Sequence, residues 1–420
     1  SVSVVGAKGT NNVAKYYYSI NNGTYVESST ANYTFTGLTE KTTHTIKVKV
    51  ADTKGRMSNE YSLSATTDAY IVPSITNVTT TSTADSITIN ITGQNGDGTI
   101  NKYYYSKDNG SNYVESTSSS YTFSNLTSNT TFYIKVYVKD NNNRESSVST
   151  ASIATKTLTI ADYVKAQYIG TQGSNGIYYH NTTLTNGAKD NSYRYAGANP
   201  NNYVCLGSTE NPCPDANLFR IIGVFGDKTK VIRAKSVGDK QWHTSESNTW
   251  STSSLNTYLN GEYLTSLGTL ADKIATTTWK VGGGSSTYLF DVPKTAYQYE
   301  VGSSASSTTV DKKIGLMYVS DYYYSASPSA WTLVGYNSSD ATKDYRFSKG
   351  ENWLYGGGWD WTISRSSDNS NDAFRVYDYG RVSNLYVSNY FGARPSFSLL
   401  SSTNYVSGSG SMSDPVRVTD

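Results

Sequence analysis

The chain has 420 residues and a formal net charge of +2, and only 16% of its residues are charged, whereas 38 are tyrosine. This length predicts about two to four domains, and the lack of any Lys/Arg run argues against nucleic-acid binding. No stretch is apolar enough to span a bilayer, and no signal-like segment begins the chain, so we expect a mature or trimmed N-terminus. The abundance of Tyr, Ser, Thr, Asn and Gly is typical of β-rich extracellular proteins.

The first part of the chain contains a tandem repeat. The segment KYYYSINNGTYVESSTANYTF begins at Lys15, and the similar segment KYYYSKDNGSNYVESTSSSYTF begins 87 residues later, at Lys102. Short runs of alternating apolar and polar residues occur in each copy, and Asn-Gly pairs predict tight turns at Asn22-Gly23 and Asn109-Gly110. This spacing of short strands predicts one β-sandwich for each copy.

In both copies a Leu closes a turn before a long alternating strand. Leu38 in YTFTGLTEKTTHTIKVKVAD and Leu126 in the second copy hold this position. The pattern resembles the end of fibronectin type III and related immunoglobulin-like domains, which implies two such β-sandwiches, at residues 1–71 and 72–157. Tandem modules of this kind usually act as spacers, and we expect their Tyr side chains to pack within the strands.

From residue 158 the pattern changes, and residues 158–420 are predicted to form one α+β domain. Its first element, ADYVKAQY, is predicted to be a short linker helix, and residues 253–275 show the apolar period of a longer helix. Strands are predicted in five segments: LFRIIGVF, KVIRAK, KIGLMYVS, AFRVYDYG and RPSFSLL.

The two cysteines, Cys205 and Cys213, lie in the segment CLGSTENPC. They either form a disulfide across this short loop or remain unpaired. A disulfide would stabilise the fold by about 2–3 kcal/mol in the chain-entropy model and fits an oxidising compartment. Two cysteines without a histidine cluster do not make a convincing zinc site, so we predict a disulfide in an extracellular protein.

Five segments occur together in one order: NLFRIIGVFGDKTKVIRAK, KIGLMYVSDYYYSASPSAW, NWLYGGGWDWTISR, AFRVYDYGRV and ARPSFSLLSS. The set resembles a C-type-lectin-like domain of bacterial surface proteins and of the variable proteins of diversity-generating retroelements, and more distantly the formylglycine-generating-enzyme fold. The resemblance implies a multidomain chain, with two all-β immunoglobulin-like sandwiches followed by an α+β C-type-lectin-like domain that presents a binding face. The calcium motifs of sugar-binding animal lectins are absent, and Cys205 and Cys213 do not match the reactive cysteines of formylglycine-generating enzymes.

Framework residues surround the expected binding face. In WLYGGGWDWTISR, Trp353 and Trp361 are predicted to lie in the core, whereas Trp359 is expected to contact the ligand. Gly380 is predicted to mark a turn. Arg394, just before a proline, is predicted to be ion-paired inside the domain.

The segment between these framework residues has the composition of an antibody paratope. Tyr supplies a large contact area at a small entropy cost, and Ser and Asn supply adaptable hydrogen bonds. We predict that one exposed ligand-binding face is formed by Trp359, Tyr377, Asp378, Tyr379, Arg381, Ser383, Asn384, Tyr386, Ser388, Asn389, Tyr390 and Phe391.

The residues missing from this region suggest a diversified sequence. From Thr362 to Ser411 there is no Lys, Glu, Gln, Met or Trp. None of these residues has a codon that ends in a pyrimidine, and the adenine-directed mutagenesis of the resembled retroelements yields only such codons at its targets. Diversification predicts this absence; a fixed adhesive loop of low charge is the alternative.

Patterns for catalysis and metal binding are weak. The three histidines, His44, His180 and His243, are far apart in sequence, and no nucleophile–base arrangement or distinctive carboxylate pair accompanies them. The acidic loops at 368–372 and 140–145 lack the closing Glu of an EF-hand and are predicted to be solvated. We expect no enzyme activity, no cofactor and no metal.

These observations predict an extracellular, non-enzymatic ligand-binding protein, either an adhesin or a receptor-binding protein, which is secreted, held at a bacterial cell surface or displayed by a phage. Its partner would be a protein or glycan on another surface, and multivalent display would raise the avidity. Two alternatives remain. One is a structural subunit of a pilus or surface layer, and the other is a glycan-active enzyme.

Overall fold

In a computed structural model, which describes residues 1–419, the chain forms two compact units: Ser1–Lys156 and a second unit that begins at Thr157. The first unit contains two separate hydrophobic cores, one for each repeat. The predicted boundaries 1–71, 72–157 and 158–420 stay predictions. None of the helices within the described residues is long and apolar enough to cross a membrane.

Each repeat builds two antiparallel sheets. The strands of the first repeat are β1 (Val2–Ser3), β2 (Val13–Ile20), β3 (Val26–Ser28), β4 (Asn32–Tyr33), β5 (Thr43–Asp52) and β6 (Tyr61–Thr66). Those of the second are β7 (Ser74–Ser82), β8 (Ile87–Gln94), β9 (Ile100–Ser106), β10 (Val114–Ser116), β11 (Ser120–Phe123), β12 (Thr131–Asp140) and β13 (Ser149–Ala154). The sheet orders are β3-β2-β5-β6 with β1-β4, and β10-β9-β12-β13 with β11-β8-β7. The predicted β-sandwich repeats are confirmed.

Alternation along the long strands creates the two sandwich cores. In β12, Ile134, Val136 and Val138 are at most 1% exposed, while the residues between them are partly accessible. Successive side chains of a strand point to opposite faces, so one face of β12 lies against the second sheet. Tyr18 and Tyr105 are fully buried, and their hydroxyls donate to backbone carbonyls at 3.1 and 2.8 Å.

The two predicted hairpin turns differ by one residue. Asn109 and Gly110 occupy the centre of the turn with φ of +59° and +87°, as predicted. In the first repeat the central residues are Asn21 and Asn22, with φ of +51° and +60°, and the N–H of Gly23 donates to the carbonyl of residue 20 at 2.9 Å. Asn tolerates this left-handed conformation, so the shorter loop of the first repeat closes one residue earlier than predicted.

The second unit combines two large sheets with short helices. Its strands are β14 (Ile177–Tyr179), β15 (Tyr193–Tyr195), β16 (Tyr203–Cys205), β17 (Leu218–Phe225), β18 (Lys228–Arg233), β19 (Asp239–Gln241), β20 (Thr277–Lys280), β21 (Thr309–Lys312), β22 (Ile314–Gly315), β23 (Asp360–Arg365), β24 (Asp372–Val376), β25 (Val382–Tyr386), β26 (Tyr390–Gly392), β27 (Ser396–Ser398), β28 (Tyr405–Ser407) and β29 (Val416–Val418). Its α-helices are α1 (Ile160–Ala166), α2 (Ser254–Tyr258), α3 (Leu264–Ser266), α4 (Ser286–Leu289), α5 (Pro293–Glu300) and α6 (Val319–Tyr324).

The strands of this unit form three sheets. A nine-stranded sheet is built on the order β22-β27-β18-β17-β16-β29-β28, with β14 and β15 attached through β17. A five-stranded sheet has the order β19-β26-β23-β24-β25, and β20 pairs with β21. Single 3₁₀ turns occur at Ser174–Gly176, Trp250–Thr252, Gly268–Lys273, Pro328–Thr332, Ala341–Lys343 and Lys349–Glu351.

The first predicted helix of this unit exists, but its role as a linker is wrong. Helix α1 begins after Thr159, whose hydroxyl accepts from the N–H of Asp162 at 3.1 Å. Ile160, Ala161 and Val164 are at most 4% exposed and belong to the core of the second unit. The apolar face of this short helix is therefore used for packing.

The longer predicted helix is confirmed as a composite element. Helix α2 is followed by a π-helical turn at Leu259–Tyr263, by α3 and by the 3₁₀ turn at Gly268–Lys273. Leu255, Leu259 and Leu270 are at most 4% exposed. The apolar period predicted the buried face, but it did not reveal the change of helical type.

All five predicted strand segments contain a strand in whole or in part, namely β17, β18, β22, β24 and β27. The segment KIGLMYVS differs, because only Ile314–Gly315 is a strand and helix α6 begins at Val319. The buried carboxylate of Glu300 accepts from the N–H groups of Val319 and Ser320, each at 2.8 Å. These bonds satisfy amides of the first helical turn, and this long-range partner was not visible in the local sequence.

Candidate ligand-binding surface

The five-stranded sheet positions the predicted binding segment. Strands β24 and β25 form an antiparallel hairpin, and residues 377–381 make its turn. The N–H of Tyr377 donates to the carbonyl of Arg381, and the N–H of Gly380 donates to the carbonyl of Tyr377, both at 2.8 Å. Gly380 has φ of +87°, a conformation that favours glycine. The predicted turn at Gly380 is confirmed.

Four aromatic rings form a continuous row beside this turn. The rings of Trp359 and Tyr377 are stacked, with centroids 5.2 Å apart, and Tyr379 extends the row at 5.6 Å from Tyr377. Phe391 packs edge-on against Trp359 at 5.1 Å. Phe391 is 4% exposed, Trp359 is 38% exposed and Tyr379 is 56% exposed. The row therefore runs from the core to the solvent.

Two arginines are interleaved with these rings. The guanidinium carbon of Arg375 lies 4.3 Å from the ring centre of Phe391 and 4.8 Å from that of Tyr377. The guanidinium of Arg381 lies 4.7 Å from the same Tyr377 ring and 4.4 Å from that of Tyr336. Such cation–π contacts are favourable when the cation is partly desolvated. We call the following residues the arginine–aromatic stack: Trp359, Arg375, Tyr377, Tyr379, Arg381 and Phe391.

The two guanidiniums have no acceptor in the described part of the chain. The buried Nε and Nη1 of Arg375 and the buried Nε of Arg381 make no hydrogen bond there, and no carboxylate oxygen lies within 4.0 Å of either group. Arg375 is only 5% exposed, and burial lowers its pKa to about 10. A buried charge carries a desolvation cost. The rings of Trp359, Tyr377 and Phe391 offset part of this cost for Arg375, but within residues 1–419 no hydrogen-bond acceptor does.

Other arginines that lie over aromatic rings are satisfied. Arg144, Arg194 and Arg346 pair with aspartates at 2.6–2.8 Å. Arg220 lies over Trp353 and donates to an Asn side chain at 2.8 Å and a backbone carbonyl at 3.2 Å. The arginines of the stack differ from these four because they have no acceptor among residues 1–419.

The prediction of one exposed face is wrong for strand β25. Ser383 pairs with Arg375 and therefore lies on the stack side of the sheet. Asn384 and Tyr386 stand one and three residues further along, so alternation directs them to the opposite side. Tyr386 is 53% exposed there, at a separate place from the stack.

Strand β26 divides the predicted face in the same way. Phe391 contacts Trp359 and Trp361 and is buried, so its predicted exposure is wrong. Tyr390, its neighbour, is 63% exposed and by alternation points to the other side of the strand. The composition of the segment indicated contact residues but could not assign them to two sides of a sheet.

The remaining predicted contact residues lie in turns. Asp378 belongs to the turn at 377–381, and its carbonyl accepts from the hydroxyl of Tyr355. Ser388 and Asn389 lie between β25 and β26, where the side chain of Gln241 donates to the carbonyl of Ser388 at 2.8 Å. All three are half-buried, so their backbones are held while part of each side chain stays accessible.

The framework predictions are confirmed. Trp353 is 5% exposed and Trp361 is fully buried. The buried guanidinium of Arg394 lies 3.8 Å from the carboxylate of Asp360 and donates to the carbonyl of Leu354 at 2.8 Å. Burial raises the pKa of Asp360, and the positive charge of Arg394 opposes this shift. The stack therefore packs, through Phe391 and Trp361, against the buried core of the second unit.

The disulfide between Cys205 and Cys213 is present. His44 lies in the first unit, and His180 and His243 are buried in the second. Residues 1–419 contain no group of three or more His, Cys, Asp or Glu side chains that could hold a metal.

The predicted solvation of loop 140–145 is wrong at its first residue. Asp140 is 1% exposed, and its carboxylate accepts from backbone N–H groups of its own turn and from Arg144 Nε at 2.8 Å. In loop 368–372, the carboxylate of Asp368 accepts from the N–H of Ser286.

Sequence reasoning missed two residues that complete the surface. Arg375 looked like an ordinary residue of a half-buried strand, because it alternates with Phe374 and Val376. Tyr336 lies 45 residues before Arg381 in sequence, and nothing local connects them. An arginine between two buried apolar strand residues was the one available signal.

A family model described as "Domain of unknown function (DUF6273)" matches residues 226–401, which include the whole stack. No curated protein matches the chain. Similar solved structures include the FN1-FN3 domains of chicken CNTN1 (17% identity, 35% of this chain and 57% of that chain, TM-score 0.20) and the fibronectin(III)-like modules of Clostridium thermocellum CbhA (18%, 36% and 82%, 0.20). A two-domain fibronectin type III segment of chicken tenascin matches with 15% identity, 35% and 86% coverage and a TM-score of 0.21. TM-scores this low carry no argument about function.

Proposed function

We propose that this chain is an extracellular, non-enzymatic ligand-binding protein, an adhesin or receptor-binding protein, in which two β-sandwiches act as a spacer. The second unit is proposed to be a C-type-lectin-like head that binds its target through the arginine–aromatic stack. The single observation that carries the proposal is the combination of exposed aromatic rings with two arginines that have no acceptor in the described part of the chain.

The composition of the stack supports binding rather than packing alone. Trp, Tyr and Arg are the residues most enriched among binding hot spots. Trp359 and Tyr379 keep much of their ring surface accessible, while the buried ends of the stack hold them in fixed positions. A preformed aromatic surface loses little conformational entropy when a ligand binds.

The disulfide supports the proposed location outside the cytoplasm, because disulfides persist in oxidising compartments. The proposed display is on a bacterial cell or phage, where several copies would raise the avidity for a surface-bound protein or glycan.

Diversification of the head by a retroelement is part of the proposal. The exposed side chains of Tyr379, Tyr386 and Tyr390 can change without disturbing the core, whereas Val382 and Val387 are buried. Sequencing of the gene across its source population tests this point. Substitutions should cluster at the exposed positions of 377–391 while Gly380 and Arg394 stay fixed; changes spread evenly along the gene would reject diversification.

The binding proposal is tested with the labelled full-length chain on a panel of intact bacterial and epithelial cells. Tyr379→Ala should abolish saturable binding, because it removes the most exposed ring of the stack. Tyr61→Ala is the matched control, since Tyr61 is 70% exposed on a sandwich strand. Equal binding by both variants, or concentration-dependent assembly in light scattering that Tyr379→Ala abolishes, would reject the proposed surface in favour of another site or a structural subunit.

A further inference from the structure

We propose that the arginine–aromatic stack binds an acidic saccharide, with the carboxylate of the sugar paired to Arg381 and the sugar ring packed against Trp359 and Tyr379. This inference rests on the proposed function and names the chemical class of its ligand.

The charge of the stack selects for an anion. Arg375 and Arg381 lie over one ring, that of Tyr377, at 4.8 and 4.7 Å. The negative charge of Asp378 in the same turn partly offsets the effect of burial on the pKa of Arg375, but its carboxylate is not within 4.0 Å of either guanidinium, so the two arginines outnumber this carboxylate in the turn. Arg381 is half-buried and is the arginine that a ligand can reach directly. Arg375, which is only 5% exposed, adds a second positive charge in a region of reduced dielectric.

The geometry of guanidinium favours a carboxylate as this anion. Guanidinium presents parallel N–H donors that match the two oxygens of a carboxylate. The Nε of Arg381 is already enclosed by protein, so the terminal nitrogens remain for such a pair.

The aromatic part of the stack fits a sugar ring. Trp359 and Tyr379 are 38% and 56% exposed, and Tyr377 lies between them. Within residues 1–419 the hydroxyls of Tyr377 and Tyr379 make no hydrogen bond. A sugar ring has an apolar C–H face and a polar rim, so it matches an aromatic surface edged with free hydroxyls.

The small size of the surface favours a saccharide over an acidic protein. A stable protein–protein interface usually takes about 20–30 residues from each partner. The accessible part of the stack consists of four side chains: Trp359, Tyr377, Tyr379 and Arg381. The other exposed tyrosines of this segment, Tyr386 and Tyr390, lie on the other side of their strands, so they do not enlarge this surface.

The test is binding of the full chain to a glycan array that pairs each uronic or sialic acid glycan with its carboxyl-reduced counterpart. We expect the wild type to bind the acidic glycan at least about ten-fold more strongly than its carboxyl-reduced counterpart, which is the change in affinity that one charge-assisted hydrogen bond gives. Arg381→Gln should remove this preference. Arg56→Gln is the charge-matched control, because the side chain of Arg56 is 61% exposed in the first sandwich.

Each other outcome overturns the inference in a different way. If the wild type binds the acidic and the carboxyl-reduced glycans equally, and Tyr379→Ala binds neither, the proposed function is retained and the acidic ligand is rejected. Protease-sensitive binding to cells without binding to the array would indicate a protein ligand. Equal loss in Arg56→Gln and Arg381→Gln would indicate non-specific attraction, and no binding to array or cells would reject the proposed function as well.

Discussion

The two sandwiches and the second unit use the same contact, a cation over a tyrosine ring, with different surroundings. In the sandwiches, Lys49 lies over a Tyr ring and pairs with Glu60 at 3.6 Å, and Lys139 lies over Tyr104 and pairs with Glu145 at 2.8 Å. In the arginine–aromatic stack, the two guanidiniums have no carboxylate partner in residues 1–419.

This difference distinguishes cations that are already paired with a carboxylate of the protein from guanidiniums that can still bind a ligand anion. A cation that already has a carboxylate gains little from a further anion, whereas an unpaired guanidinium retains its donors and its charge. The sandwich contacts therefore stabilise strands, whereas the charge and donors of the stack remain available to an anion. The four predictions below test this contrast, from the largest expected effect to the smallest.

The largest contrast is between two buried arginines of the second unit. Arg394→Met leaves the buried carboxylate of Asp360 without its partner, and we expect a loss of about 3–5 kcal/mol in the free energy of unfolding. Arg375→Met removes a buried charge that has no hydrogen-bond acceptor in residues 1–419, but it also loses contacts with three aromatic rings, so the loss should be smaller, about 1–2 kcal/mol. Chemical denaturation of both variants measures the difference; a large loss for Arg375→Met would mean that the protein itself uses this charge.

Two tryptophans give the next contrast. Trp353 is buried and its indole N–H donates to a backbone carbonyl at 2.8 Å, so Trp353→Ala should cost about 3–5 kcal/mol. Trp359 is partly exposed, and Trp359→Ala should cost only about 1–2 kcal/mol while it removes cell binding. Denaturation and binding assays on the same samples separate the two roles, and a variant at Trp359 that binds normally would contradict the account.

Two glycines with similar backbone conformations test the turn of the stack. An alanine at Gly380 would adopt φ of +87°, which costs about 1–2 kcal/mol, and its Cβ would lie 2.7 Å from the Cβ of Lys349. Gly357 has φ of +79° but no atom within 4 Å of the added Cβ. Thermal unfolding should therefore show a larger loss for Gly380→Ala than for Gly357→Ala, and equal losses would show that crowding at the turn is unimportant.

The smallest effect concerns acid stability of the first sandwich. Hydrogen bonds from Tyr25 and Lys47 lower the pKa of Glu60 to about 2. Because the pKa is lower in the folded state, the stabilisation is present above the unfolded pKa of about 4.3 and is lost as the pH falls toward 2. The melting temperatures of the wild type and Glu60→Gln should differ at pH 6 and converge near pH 2. A difference that does not change with pH would argue against this ion pair.

Sequence periodicity predicted the elements whose buried face follows from the spacing of apolar residues along the chain. Alternation identified the sandwich strands, and the apolar period identified the helical segment at 253–275. Composition failed at Phe391, because the burial of this ring depends on its tertiary contacts with Trp359 and Trp361. The segment KIGLMYVS is only partly a strand, because helix α6 begins at Val319. The carboxylate of Glu300 accepts from the N–H groups of Val319 and Ser320 there, and this contact is also tertiary.

The candidate site was predicted in composition but not in arrangement. Trp359, Tyr377, Tyr379 and Arg381 come together as expected. Tyr386 and Tyr390 do not join them, because strand alternation directs these side chains to the opposite side. Arg375 entered the site only through its contacts with rings that are distant along the chain. Composition can therefore indicate a candidate segment, but sheet register decides which of its residues share a surface.

The central claim is that the guanidinium of Arg381 binds a ligand carboxylate, with Arg375 as a second, buried positive charge. It is tested most directly by following the arginine Nε–H resonances in NMR spectra of the full chain while galacturonate or galactose is added. Arg375→Met and Arg381→Gln assign the two signals. The account predicts that galacturonate shifts the Arg381 resonance, with a smaller shift for Arg375, and that galactose does not. Unchanged resonances with galacturonate, or equal shifts with both sugars, would contradict it.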